Sequence, residues 1–104
     1  MKNNEVIKKI KQTIHDIEPG AEIILYGSRS RGDASPESDW DLLILVNGPV
    51  DDIRTDRIRH RLYDIEWESG EVISSIVRNH KEWNSDLYKT IPFHQSIVEE
   101  GVRL

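Results

Sequence analysis

The run Asp41-Leu-Leu-Ile-Leu-Val46 constrains this chain more than any other stretch. A strand with one face in water alternates apolar and polar side chains, because successive residues point to opposite faces. Leu42 to Val46 do not alternate, so the strand they form is expected to be covered on both faces. A sheet covered on both sides needs helices packed against it, and the flanking sequence supplies them.

Val6, Ile7, Ile10, Ile14 and Ile17 recur at helical spacing, with Lys2, Lys8, Lys9 and Lys11 mostly on the other side. Pro19-Gly20 stops this helix. The segment AEIILYG reads as a strand ending at Gly27, and Asn47-Gly48-Pro49 turns the chain after the apolar run. From Asp51 the period becomes helical again: Ile58, Leu62 and Ile65 share one face, Arg54, Arg57 and Arg61 another, and Ser69-Gly70 closes the helix. EVISSIVR is a third strand, followed by a tryptophan-bearing segment. Pro92 then breaks the pattern, and FHQSIVEEG forms a short closing helix that stops at Gly101. The order α-β-turn-β-α-β-α predicts an α/β fold, a small mixed β-sheet packed with helices. At 104 residues the expectation is one domain over residues 1–104 with a single modest core.

Net charge is -5, which argues against broad, non-specific nucleic-acid binding but leaves a nucleotide open, since a divalent metal can carry the positive charge locally. The chain has no cysteine, so disulfides and thiolate metal sites are excluded and a reducing cytoplasm is the expected setting. The N-terminal MKNNEVIKKI has no apolar signal core, and no segment approaches the ~20 apolar residues of a membrane span. The four histidines are scattered without zinc-ligand spacing, and a structural role is expected for His94. Trp67 and Trp83 read as core or interface anchors. The arginine stripe reads as a solvated face, with an acidic partner or a nucleic-acid backbone as the alternative.

Two aspartates stand at the mouth of the buried strand. Asp39 and Asp41 point the same way, with Cα atoms ~6.5–7 Å apart, so both carboxylates can converge on a divalent cation whose coordination phosphate oxygens complete. Trp40 between them points to the opposite face and belongs to packing. Two like charges at a strand entrance repel, and a cation is the economical reason to place them there. Upstream, Gly27 lets a backbone approach a ligand closely, Ser28 offers a hydroxyl and an N–H, and Arg29 and Arg31 are candidate cationic donors for phosphate.

Gly27-Ser28, the SRSRG that follows and Asp39-Trp40-Asp41 together resemble the signature of the minimal nucleotidyltransferases of the DNA polymerase β type, and the resemblance covers most of the chain. It implies nucleotidyl transfer from a nucleoside triphosphate, ATP foremost. Mg2+ or Mn2+ would be held by Asp39 and Asp41, and the triphosphate would meet Gly27 and Ser28. It also implies a helical HEPN-type partner in an antitoxin–toxin pair, in which the transferase can adenylylate the toxin; a homo-oligomer is the other way for so small a domain to complete its site. Active members of the family usually carry a third carboxylate on the strand after the second long helix. Here that strand offers Ser74 or Ser75, and Glu71, Glu66 or Glu68 could replace the acid only with altered geometry. Glu71 is the nominated third ligand. The competing expectation is a catalytically weak or inactive antitoxin or regulatory module that keeps the nucleotide pocket as a vestige.

Overall fold

The computed structural model describes residues 1–104. Its elements are α1 (Asn3–Ile17), β1 (Glu22–Tyr26), α2 (Ser28–Arg31), β2 (Trp40–Val46), α3 (Asp52–Ser69), β3 (Ile73–Asn79), α4 (His80–Trp83), α5 (Asp86–Lys89), α6 (Pro92–Glu100) and β4 (Val102–Arg103). The four strands form one mixed sheet in the order β3-β2-β1-β4. β1 runs antiparallel to β2 and β4, whereas β2 and β3 are parallel and joined through α3.

The apolar run lies where its pattern demands. Leu42, Leu43, Ile44 and Val46 are fully buried in the second strand of the sheet, flanked on both edges and covered on both faces. Leu42, Ile44 and Val46 meet Val6, Ile10 and Ile14 of α1 and Ile58, Leu62 and Ile65 of α3. Leu43 and Leu45 face a smaller cluster with Trp83 and Ile97, edged by Tyr26, Ile76 and Phe93. Each such side chain contributes about 1.5–3 kcal/mol when fully buried, and a one-residue slip of β2 would turn the Asp41 carboxylate into the α1–α3 core.

The helix ends follow their residues. Asp51 caps α3 by accepting from the Arg54 N–H at 2.8 Å, and Gly70 ends the helix in the left-handed region at φ 73°. Three features depart from the sequence expectations. The sheet gains a fourth strand, β4, too short to leave a period in the sequence. Arg54 leaves the expected solvated stripe and closes onto Glu18 at 2.6 Å, whereas Arg57 reaches the same carboxylate at 3.2 Å with its side chain still 56% exposed. Trp67 is 90% exposed, which excludes the core role expected of it and leaves the interface one, while Trp83 is a core anchor as expected. His94 is buried and stacked on Trp83 with ring centroids 4.6 Å apart, a structural placement. No helix is long and apolar enough to cross a membrane.

Candidate active site

The site is built around a side chain that faces away from it. Trp40 is buried under the α1–α3 layer, its indole Nε1 donating to Glu71 Oε2 at 3.2 Å. With Trp40 pinned on that face, strand alternation turns Asp39 and Asp41 to the other. Arg29 locks the same corner. Its guanidinium lies 4.3 Å from the Trp40 ring centroid, donates to Ser38 O at 2.8 Å and 3.1 Å, and pairs with Glu71 at 3.3 Å. At 6% side-chain exposure, Arg29 braces the 32–39 loop rather than presenting itself to a ligand.

Across the antiparallel β1–β2 pair Tyr26 stands opposite Asp41, so the next residue, Gly27, comes directly over the aspartate. Gly27 has φ 75°, and a Cβ built on it would collide with the Asp41 carboxylate. Glycine is therefore needed twice, for the backbone conformation and for the close approach. The chain then turns back at once: the N–H groups of Ser30 and Arg31 both donate to Gly27 O at 3.1 Å, and the Ser30 hydroxyl adds a third bond at 2.9 Å. Ser30 closes the turn, which leaves the Ser28 side chain at its leading edge.

The electrostatics favour a cation. Burial pushes the Asp41 carboxyl above the ordinary carboxylate value, the charge of Asp39 pushes it further, and Arg31 pulls it partly back. A divalent ion between Asp39 and Asp41 would relieve both upward pressures, so the donor set fits one hard cation that takes its remaining ligands from phosphate or water. No third His, Cys, Asp or Glu joins the two in a group able to hold a metal. Glu71 is not brought to them, since Arg29 and Trp40 hold its carboxylate. Glu66 accepts from the Ile73 N–H at 3.0 Å, and Glu68 pairs with Lys9 at 3.3 Å. The parallel register sets Ser74 beside Asp41 and Ser75 beside Leu42, so Ser74 is the residue on the face of the aspartates.

The structure also brings in a residue that sequence reading missed. Glu100, at the end of α6, accepts from the Gly27 N–H at 3.3 Å and pairs with Arg31 at 3.3 Å. Seventy-three residues separate Glu100 from Gly27, and no local pattern links them.

Residues 7–103 match the family model described as a nucleotidyltransferase domain. Over 79 residues the chain is 35% identical to a Methanocaldococcus jannaschii protein named "Putative protein adenylyltransferase MJ0604", covering 76% of this chain and 72% of that protein. Among solved structures, it resembles a toxin–antitoxin with AMP-PNP, with TM-score 0.65 and 22% identity over 92% of this chain and 69% of the other. It also resembles a mutant of the toxin–antitoxin MntA-HpeT, with TM-score 0.61 and 22% identity over 100% of this chain and 72% of the other. The structural likenesses speak for the fold; the family match and the sequence relative speak for the chemistry. The chain belongs to the nucleotidyltransferase domain family and is a minimal nucleotidyltransferase.

Proposed function

We propose that residues 1–104 act as one nucleotidyltransferase domain that moves AMP from ATP, with Mg2+ or Mn2+, to a hydroxyl on a partner protein. The observation that carries this reading is the approach of Gly27 over Asp41, which sets a turn suited to phosphate against a pair of carboxylates suited to a cation. The protein partner is supported by the name of the archaeal relative and by the toxin–antitoxin assemblies that share the fold. A helical HEPN-type protein is the partner proposed, in a cytoplasmic setting that suits a cysteine-free chain.

In the transfer, an acceptor oxygen forms a bond to the α-phosphorus and the bond from that phosphorus to the bridging oxygen breaks. Pyrophosphate leaves with the electron pair, and the hydroxyl proton passes to solvent. A cation held by Asp39 and Asp41 would neutralise charge developing on the phosphates. Gly27 admits the phosphate chain, Ser28 offers it a hydroxyl and an N–H, and Arg31, half-exposed beside them, supplies a guanidinium. Trp40, Arg29 and Glu71 hold the aspartates in place without touching substrate.

Incubation with ATP labelled on the α-phosphate and Mg2+, with and without a helical partner, tests the reading. A labelled partner, lost in Asp41→Asn, is the expected result; unlabelled protein in every arm overturns it. Ser74 beside Asp41 favours one second reading, a partner-binding regulatory module with weak transfer, because no carboxylate stands there to serve the attacking hydroxyl. Under that reading the partner binds tightly and labels only over many hours.

A further inference from the structure

β4 pairs with β1 through Leu25↔Val102, and Leu104 N–H donates to Ile23 O at 2.9 Å. Continuing this antiparallel register by two residues sets Glu100 opposite Gly27. The approach is tight: a Cβ at Gly101 would lie 2.5 Å from Ile97 O and 2.8 Å from the Ile24 side chain. With Ile97 buried one turn earlier and Val102 already in the sheet, the last residue of α6 is delivered to the mouth of the Gly27-Ser28 turn. There its carboxylate takes the Gly27 N–H at 3.3 Å and reaches the Arg31 guanidinium at 3.3 Å.

We infer that Glu100 is a charge filter on the nucleotide site, holding two donors that a phosphate chain would take and yielding them only to a nucleotide carrying a divalent cation. The inference rests on the proposed reading of the Gly27-Ser28 turn as the phosphate site. A carboxylate and a phosphate are both anionic acceptors, and they compete for the same N–H and the same guanidinium. Metal-free ATP would enter against Glu100, Asp39 and Asp41 together, and like charges set side by side suppress the wrong ligand. The metal-bound form brings two fewer negative charges and satisfies the aspartates. Glu100, with its side chain 27% exposed, can then swing into water and release Arg31 to the phosphates. The filter therefore discriminates metal-bound triphosphate from free nucleotide and inorganic phosphates, and it belongs to substrate selection rather than to bond-making.

Equilibrium binding of ATP to the whole chain, measured in Mg2+ and again in EDTA, tests this with Glu100→Gln and Glu100→Ala, each confirmed folded by its thermal melt. Gln keeps the acceptor for Gly27 N–H and removes the charge; Ala removes both. The wild type is expected to bind ATP in Mg2+ and to bind far more weakly in EDTA. Both variants should gain at least about tenfold in EDTA and less in Mg2+. If the wild type binds in Mg2+, dependent on Asp41, and the variants gain nothing in EDTA, the filter is overturned while the phosphate site stands. Loss of binding in Mg2+ in Glu100→Gln would make Glu100 part of the metal site and also overturns it. If no form binds ATP under either condition, the phosphate-site reading fails and takes the filter with it.

Discussion

Ser74 is the register partner of Asp41 across the parallel β2–β3 pair, and both lie on the face of the sheet away from α1 and α3. Neighbouring residues in such a pair share a face, so a carboxylate at position 74 would point with Asp41 into the site. Ser74→Asp is therefore expected to raise transfer to the acceptor by tenfold or more, within the ~10²–10⁴ range of general-base assistance. Ser75→Asp is the control. Ser75 pairs with Leu42 on the helix-covered face, so that variant should lose stability and gain no rate. Single-turnover labelling by both variants checks the pair; an equal response from the two would contradict the register argument.

Gly27→Ala should abolish nucleotide binding while leaving a folded protein. Holding a non-glycine residue at φ 75° and ψ -157°, a region essentially reserved to glycine, costs about 1–3 kcal/mol, and the added Cβ displaces the Asp41 carboxylate. Calorimetric titration with ATP and Mg2+ reads the first effect and thermal melting the second. Retained affinity would place the phosphate site elsewhere.

Asp41→Asn is expected to stabilise the metal-free protein. The folded-state value of this acid is raised above 3.8, so the folded protein holds the proton more tightly than the unfolded chain. Stability then falls as pH rises from about 3.8 through the raised value, and the cost is fully present above it. At neutral pH the neutral amide removes that cost, and Tm should rise by on the order of a few °C without metal. Added Mg2+ should stabilise the wild type and not the variant. Differential scanning fluorimetry across pH, with and without Mg2+, measures both.

Glu18 gives the opposite sign. Its hydrogen bond from Arg54 is the main cause holding its carboxyl below the ordinary value, burial opposes this, and Arg57 adds to the lowering. The stability it contributes is fully present above about 4.5 and is lost as pH falls through the lowered value. Arg54→Ala leaves a buried carboxylate with Arg57 as its remaining partner and also removes bonds to Asn47 O and Pro49 O. A loss of about 1.5–3 kcal/mol is expected in urea denaturation at pH 7, shrinking as pH is lowered.

The sequence by itself determined the two-faced strand, the helices that cover it and the pair of aspartates at its mouth. Those are local matters: Leu42–Val46 cannot alternate, Ile58, Leu62 and Ile65 cannot avoid one helical face, and Asp39 and Asp41 cannot point apart. Even the choice between Ser74 and Ser75 was narrowed to neighbours. What picked Ser74 was the β2–β3 register, a pairing across 33 residues that no local pattern encodes. Arg29 and Glu71 looked available for ligands because charge is visible in a sequence and its partners are not; in the fold each completes the other around Trp40. Glu18 drew Arg54 out of a stripe that periodicity assigned to water, and Arg57 reaches the same carboxylate from the exposed face, because leaving a buried carboxylate unpaired is costly. Glu100 reached Gly27 only because a two-residue strand at the end of the chain joined β1. So short a strand carries no period to read, yet its hydrogen bonds fix where α6 ends and which carboxylate stands at the Gly27-Ser28 turn.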